Sequence, residues 1–265
     1  MHKLNATEIN TAEVKQLIGD WRRWGVTEEP VILEELTGGL TNRNLLLQSG
    51  PDKLVLRVNH PHGQALGADR SRENQVHDAI AHLGVTPTIR FTDPEQRYLL
   101  RDYIEGQPLT QGALTIDDLN RIKDILDLIH ACNPGIFSNT SELQVADSCT
   151  AYLSMATMPD QRAKAALMKR INAIQPLPTH ESTLCHLDPL PANWLKDHHG
   201  KLWLIDWEYA CRAHPLLDFA ALFHHLPEHL KEHWEHLHDQ EPAALRQEAL
   251  RQVALLEESW YFAQR

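Results

Sequence analysis

The chain has 265 residues, enough for one large domain or for two lobes. Hydrophobic residues make up 42% of it, an ordinary share for a globular protein, and a formal net charge of -11 argues against a polynucleotide substrate. No apolar run is long enough to cross a bilayer, the first residues lack a signal-peptide core, and the four cysteines are widely spaced. We therefore expect a cytoplasmic protein with reduced thiols, no nucleic-acid or membrane partner, and a surface compatible with a cationic small molecule.

The first third of the chain predicts helix followed by antiparallel sheet. Residues 1–30 read as helical, with a helix that opens at Thr11 and a segment that ends at Pro30. A second helix is predicted over 69–83 from its apolar periodicity. Apolar runs bounded by turn signals predict strands over 31–36, 45–48, 53–58, 88–91 and 97–104.

The turn Gly38–Asn44 lies between the first two predicted strands. Its glycines would let the backbone approach a phosphate closely, and Thr41 and Asn42 add donors. A plain hairpin turn has the same composition. Arg57, at the end of the third strand, supplies a cation, and Glu73 is either its ion-pair partner or a solvated side chain.

A change of pattern at Glu105–Leu109 marks the best boundary, because Gly and Pro interrupt the chain and the apolar period lengthens from two to 3.6. We predict an α+β fold with an N-terminal antiparallel sheet lobe, residues 1–104, and a mainly helical lobe, residues 105–265. Within the second lobe, helices are predicted up to His130, where Asn133–Gly135 stops the first, and over 149–155 and 161–174.

The clearest chemical pattern lies in the second lobe. Asp188 is on a loop, Asn193 follows five residues later, and Asp206 comes at the end of an apolar strand. Kinase-like enzymes carry their catalytic base and two magnesium ligands in this order and spacing. Asp188 is placed to accept a hydroxyl proton, and Asn193 and Asp206 supply the oxygen ligands that Mg²⁺ prefers. Glu208 is placed to support the metal or to contact a substrate.

These motifs resemble the aminoglycoside phosphotransferase and choline kinase superfamily over most of the chain, from about Leu33 to Phe219. The segment His186–Asn193 is similar to its catalytic loop. Ile205–Ala210 is similar to its metal-binding motif, in the form typical of bacterial choline kinases and thiamine kinases. Gly38–Asn44 resembles the nucleotide loop of the choline kinase branch, and His214–Ala220 resembles the segment that follows the metal motif.

The resemblance implies a bilobal, protein-kinase-like fold that uses ATP and Mg²⁺. It implies that Asp188 is the catalytic base, that Asn193 and Asp206 hold Mg²⁺, and that Asp218 braces the catalytic loop, where His186 is expected to be structural. Arg57 stands where many relatives carry a lysine. The nucleotide contacts expected from the sequence and the resemblance together are Gly39, Thr41, Asn42, Arg57, Glu73, Asp102 and Ile104, with the last two at the hinge to adenine.

The sequence predicts the acceptor site less clearly than the nucleotide and metal sites. A cationic acceptor favours aromatic faces and carboxylates, so the candidates beside the metal motif are Trp207, Glu208 and Tyr209. Trp260 lies on a late helix similar to the one that helps form the choline pocket in relatives, and core packing explains it equally well. We predict a small-molecule kinase that phosphorylates the alcohol of a small cationic substrate, choline or thiamine first and ethanolamine next.

Three alternatives remain open. An aminoglycoside or other antibiotic phosphotransferase shares the catalytic loop, and a non-catalytic, kinase-like nucleotide-binding module remains open because Arg57 replaces the usual lysine. A metal-binding protein is the third, because His225, His229 and His233 recur at i, i+4 on a helix predicted over Phe223–Asp239. A solvated polar face also accounts for those histidines.

Overall fold

The computed structural model describes residues 11–36, 42–60, 63, 67–110, 113–132, 142–156 and 160–264. The chain divides into two compact units. The first is built from Met1–Gln64 and Pro87–Glu105, and the second from Ala65–Thr86 and Gly106–Arg265. The predicted lobes, 1–104 and 105–265, stay a prediction. The segment Ala65–Thr86, which we expected in the sheet lobe, groups with the helical unit.

The first unit contains a helix and one antiparallel sheet in the order β1-β2-β3-β5-β4. The prediction of an antiparallel sheet in the N-terminal part is confirmed. The elements are α1 (Thr11–Gly19), β1 (Val31–Leu36), β2 (Arg43–Ser49), β3 (Asp52–Val58), β4 (Ile89–Thr92) and β5 (Tyr98–Asp102).

The side chains on one face of the sheet build the core of this unit. Leu45 and Leu47 of β2 and Leu54 and Leu56 of β3 lie on one face of the sheet and are buried, as alternate residues of a strand should be. Trp24 packs against this face, and its Nε1–H donates to the Tyr98 hydroxyl at 3.1 Å. The unit therefore has a core of its own that holds the strand carrying Arg57.

The second unit is mainly helical, with two small sheets. Its helices are α2 (Arg70–Ile80), α3 (Ile116–His130), α4 (Val145–Met155), α5 (Gln161–Ile171), α6 (Leu216–His225), α7 (Glu228–His236) and α8 (Ala243–Ala263). Strands β6 (Gly106–Pro108), β8 (Trp194–Asp197) and β9 (Leu202–Leu204) form one sheet, and β7 (Thr183–Cys185) pairs with β10 (Cys211–Ala213).

Local signals account for the starts of several of these helices. The Asp69 side chain accepts a hydrogen bond from the Arg72 N–H at 3.0 Å and begins α2. Thr115 and Asp118 form a reciprocal capping box at the start of α3. Along α3, Leu119, Ile122, Leu126 and Ile129 are buried at helical spacing.

The single helix predicted over Phe223–Asp239 is wrong, because two helices occupy this stretch. Helix α6 ends at His225 and α7 begins at Glu228. Pro227 has no N–H to donate and disfavours helical backbone at Leu226, which is extended (ψ 144°). His225 therefore lies on a different helix from His229 and His233.

The histidines of this stretch also have separate partners. The Nε2 atom of His225 lies 3.1 Å from Glu257, that of His233 lies 2.9 Å from Asn120 Oδ1, and that of His224 lies 3.0 Å from the Leu250 carbonyl oxygen. Within the ranges that the structure describes, they form no group of three metal-ligating side chains. His225, His229 and His233 therefore do not form the metal site that their i, i+4 spacing indicated.

No helix among the described residues is both long and apolar enough to cross a membrane. The cytoplasmic location stays a prediction. The helix stop predicted at Asn133–Gly135, and Gly39 and Thr41 of the glycine turn, lie outside the described residues.

Candidate active site

Asp188 lies on the loop between β7 and β8, and Asp206 is the second residue after β9. Strand pairing brings the two segments together, because Trp194 of β8 pairs with Leu204 of β9. The Ile205 N–H then donates to the Asn193 carbonyl oxygen at 3.0 Å. Residues separated along the chain thus meet where β8 begins and β9 ends.

Asn193 fixes the position of Asp188. Its Nδ2 atom lies 2.8 Å from the Asp188 backbone oxygen and 2.8 Å from the Asp188 Oδ2 atom. Both bonds use the amide nitrogen, so neither occupies the Asn193 side-chain oxygen. That oxygen, with the Asp206 carboxylate, is the kind of ligand a hard cation prefers.

The surroundings of Asp188 carry an excess of negative charge. Burial raises the pKa of Asp188 well above its usual range, and the charge of Asp206 raises it further. The hydrogen bond from Asn193 acts in the opposite direction, while Glu208 and Glu257 add to the increase. A cation held near these groups would relieve the repulsion, so the donor set and its charge both fit Mg²⁺.

His186 links the catalytic loop to the strand that precedes Asp206. Its Nδ1 atom accepts the Asp188 N–H at 3.2 Å, and its Nε2–H donates to the Ile205 carbonyl oxygen at 3.1 Å. This pattern requires the neutral ring. Burial agrees with it, since it lowers the pKa of His186 to about 4. The structural role that we predicted for His186 fits these contacts.

Asp218, at the start of α6, holds the loop that carries Asp188 through hydrogen bonds to its backbone. Its Oδ1 atom accepts the Leu187 N–H at 2.6 Å, and its Oδ2 atom accepts the His186 N–H at 3.0 Å and a hydrogen bond from His130 at 2.9 Å. Leu187 and Asp206 both have left-handed backbone, with φ of 66° and 67°. Such backbone is costly for a residue with a side chain, so these contacts stabilise a conformation that the loop would otherwise leave.

Two of the predicted acceptor contacts are buried in the second unit. Trp207 has no exposed surface, and its ring packs edge-on against His186 with the ring centres 4.6 Å apart. Glu208 is 1% exposed, and its Oε2 atom lies 2.6 Å from Arg70 Nη1. This burial argues against direct contact of either side chain with a substrate. Tyr209 and Trp260 are partly exposed.

Helix α2 is attached to the segment that follows Asp206. The Arg72 Nε–H donates to the Ala210 carbonyl oxygen at 2.7 Å, and the Asp69 N–H donates to the Glu208 carbonyl oxygen at 3.2 Å. Arg70 binds the buried Glu73 at 3.1 Å as well as Glu208. These bonds explain why α2 groups with the helical unit. The pairing of Glu73 with Arg57 joins residues of different units and stays a prediction.

The nucleotide residues predicted in the first unit occupy the sheet and its turns. Arg57 is 6% exposed on β3, and its Nε–H donates to Asn59 Oδ1 at 3.1 Å. The Asn42 side-chain oxygen accepts the His60 N–H at 3.2 Å. Asp102 ends β5, and Ile104 follows it outside regular secondary structure. These positions are compatible with the predicted roles, which stay predictions.

A small cavity of about 60 Å³ lies against the catalytic loop, and our sequence reasoning missed it. Its carboxylates are Asp188 and Glu257, and the rest of its lining is aliphatic: Val145, Leu187, Leu190, Leu217, Ala221, Val253 and Leu256. The available signal was Glu257 itself, an acidic residue on the apolar face of the helix that carries Trp260. The prediction for this helix concerned only its aromatic residue Trp260.

Comparison with known proteins identifies the family and the fold of the chain. The model of the phosphotransferase enzyme family matches residues 32–256. Protein LicA of Haemophilus influenzae is 24% identical over 192 residues, which are 70% of this chain and 56% of LicA, so the match spans little more than half of that relative.

Solved structures share the fold. Choline kinase LicA from Streptococcus pneumoniae has a TM-score of 0.74 at 21% identity, covering 95% of this chain and 91% of its own. An aminoglycoside-3'-phosphotransferase of type VIII has a TM-score of 0.67 at 17% identity, covering 92% and 98%. The predicted α+β, kinase-like fold is confirmed, and the chain belongs to the phosphotransferase enzyme family.

Proposed function

We propose that the protein transfers the γ-phosphate of MgATP to the hydroxyl of a small cationic alcohol. The observation that carries this proposal is the position of Asp188: it lines a cavity, and Asn193 holds it by two hydrogen bonds. In this proposal a hydroxyl bound in the cavity lies beside Asp188. This is the geometry that a catalytic base requires.

Asp188 would accept the hydroxyl proton as the new O–P bond forms. Its raised affinity for a proton suits this role, because a base must take up the proton late in the transfer. Phosphoryl transfer depends mainly on positioning and charge stabilisation. His186 and Asp218 contribute by holding the loop that carries Asp188, and neither touches the reacting atoms in this scheme.

Asn193 and Asp206 would hold the magnesium ion. When bound, Mg²⁺ neutralises charge on the phosphate oxygens and aligns the γ-phosphate. Within the protein, Asn193 offers its side-chain oxygen, and Asp206 carries a negative charge that already acts on Asp188. For the nucleotide itself we propose the predicted set of Gly39, Thr41, Asn42, Arg57, Glu73, Asp102 and Ile104.

The acceptor class follows from charge. The cavity has a second carboxylate besides the base, and the protein has a formal net charge of -11. Both features favour a cation. Choline, ethanolamine and thiamine are the candidates. Tyr209 and Trp260 stay predicted contacts, although neither is among the residues that line this cavity.

A panel of acceptors with MgATP tests the proposal. We expect ADP release to depend on a cationic alcohol, with choline, ethanolamine, thiamine and an aminoglycoside compared side by side. Asp188→Ala should abolish transfer while nucleotide binding, measured by calorimetry, is retained. The proposal fails if none of the alcohols is phosphorylated or if the variant turns over at the wild-type rate.

An antibiotic phosphotransferase is the second candidate, favoured by the same acidic cavity, since aminoglycosides are polycationic. The cavity of about 60 Å³ argues for a smaller acceptor. The panel of acceptors separates the two candidate functions, because an aminoglycoside should be the preferred acceptor only of an antibiotic phosphotransferase. A non-catalytic module is disfavoured because Asp188 and Asn193 are held together and Asp206 follows the paired strand.

A further inference from the structure

The cavity beside the catalytic loop presents two carboxylates within one aliphatic lining. Asp188 and Leu187 come from the loop, Leu217 and Ala221 from α6, and Glu257 lies on α8. If Asp188 takes the hydroxyl, as the proposed function requires, Glu257 remains as the charged group for another part of the same molecule. A cavity with these two groups suits a molecule that has a hydroxyl and a cation a short distance apart.

We propose that Glu257 binds the cationic group of the acceptor and selects a small amino alcohol whose ammonium group still carries an N–H. This inference rests on the proposed function and names its substrate class. A primary or secondary amino alcohol would donate its N–H to the Glu257 carboxylate while its hydroxyl faces Asp188.

The Glu257 side chain is held in place for such a contact. The Nε2 atom of His225, at the end of α6, lies 3.1 Å from Glu257 Oε1, so one carboxylate oxygen is tied to the helix that forms another wall of the cavity. Both side chains are about one-third exposed, 35% for His225 and 34% for Glu257. The carboxylate is therefore oriented by its neighbour and accessible to a ligand.

The neighbouring carboxylate on α8, that of Glu258, has different contacts. Glu258 is half exposed, and its Oε2 atom lies 2.5 Å from Arg170 Nη1. It is absent from the lining of the cavity. The pair Glu257 and Glu258 thus provides a matched test, because both are on α8 and only the first lines the cavity.

The lining decides between kinds of ammonium group. Apart from Asp188 and Glu257, the cavity walls that the structure describes are aliphatic. A quaternary ammonium has no N–H and is recognised best by aromatic faces, whereas a primary ammonium gains a charge-assisted hydrogen bond from a carboxylate. This site therefore suits an ammonium that donates hydrogen bonds better than one that is fully methylated.

The volume favours a small molecule. A water needs roughly 10–15 Å³ of such a cavity. A cavity of about 60 Å³ therefore has room for only a few non-hydrogen atoms. Ethanolamine is of this size. Choline carries additional methyl groups on nitrogen, and thiamine carries two rings.

A methylation series tests the inference with the hydroxyl held constant. The acceptors are ethanolamine, N-methylethanolamine, N,N-dimethylethanolamine and choline, assayed by ADP release from MgATP. We expect kcat/KM to be highest for ethanolamine and to fall about tenfold or more at the last methylation, which removes the last N–H. In Glu257→Gln, kcat/KM for ethanolamine should fall about 10–100-fold, chiefly through KM. The KM for ATP should be unchanged.

The controls separate this inference from the proposed function. Glu258→Gln should keep the wild-type kcat/KM for every acceptor. The role of Glu257 is overturned if kcat/KM for choline equals that for ethanolamine, or if Glu257→Gln keeps the wild-type kcat/KM for ethanolamine. In either case the phosphotransferase assignment stands. If no acceptor of the series and none of the wider panel is phosphorylated, the proposed function fails, and the role of Glu257 fails with it.

Discussion

Asn193 holds Asp188 through a single nitrogen: Nδ2 lies 2.8 Å from the Asp188 backbone oxygen and 2.8 Å from its Oδ2 atom. The first bond closes the turn between the two residues, and the second restricts rotation of the carboxylate. One side chain therefore shapes the catalytic loop, orients the proposed base, and keeps its own oxygen for a metal.

Asn193→Ala should lower kcat by about 100-fold or more, because the base loses its orientation and the metal site loses an oxygen. Asn172, exposed at the end of α5, provides the control, and Asn172→Ala should keep the wild-type rate. Steady-state ADP release at saturating acceptor measures both. A kcat for Asn193→Ala within twofold of wild type would show that Asp188 does not depend on this contact.

Asp218→Asn should reduce the free energy of unfolding by about 2–3 kcal/mol, and turnover should fall with it. The fully buried carboxylate accepts the N–H groups of His186 and Leu187, and an amide brings a donor where an acceptor is needed. Urea unfolding measures the effect. Asp239→Asn, at a 58% exposed side chain, should change stability little. Equal stability of the two variants would contradict the bracing role of Asp218.

Gly106→Ala should destabilise the second unit by about 1–3 kcal/mol. A Cβ at this position of β6 would lie 2.7 Å from the Lys196 backbone oxygen, and backbone cannot move aside as a flexible side chain can. Strand β8, which carries Lys196, begins directly after Asn193. Gly19 has open space for a Cβ, so Gly19→Ala should be neutral or stabilising. Thermal unfolding of the pair checks the prediction, and a neutral Gly106→Ala would refute it.

Stability should fall as the pH falls below about 6.5, in part because of His238. Burial lowers the pKa of His238 to about 4, while its Nδ1–H donates to the Trp234 carbonyl oxygen at 2.9 Å. The unfolded chain takes up a proton below its ordinary pKa of about 6.5, whereas the folded state does so only near pH 4. Protonation therefore favours unfolding throughout this window, by roughly 2 kcal/mol at pH 5.

His238→Gln should show a smaller loss of stability between pH 7 and pH 5 than the wild type in urea unfolding. His236→Gln should follow the wild-type curve, because the His236 side chain is 77% exposed. His186, whose pKa is also lowered to about 4, contributes in the same direction in all three proteins and cancels in the comparison. A wild-type slope in His238→Gln would contradict the prediction.

Local patterns were sufficient for most elements. Apolar runs bounded by turn signals located the strands of the first unit, and apolar periodicity located α2. The prediction of one helix over Phe223–Asp239 is wrong because Pro227 divides the stretch. The proline was the stronger signal, because a missing N–H and a restricted preceding residue end a helix whatever the side chains beyond it.

The sequence alone determined the order of three chemical groups: a carboxylate, an amide and a second carboxylate at Asp188, Asn193 and Asp206, which the structure brings together where β8 begins and β9 ends. Only the tertiary structure decided which nearby side chains can meet a ligand. Trp207 and Glu208 follow Asp206 directly and are buried, whereas Glu257, far along the chain, lines the cavity with Asp188. The spacing of a motif can be read from the sequence because its residues lie only a few positions apart along the chain. Burial depends on which helices pack around the loop, α2 at Glu208 and α6 and α8 at the cavity, and no local pattern encodes that packing.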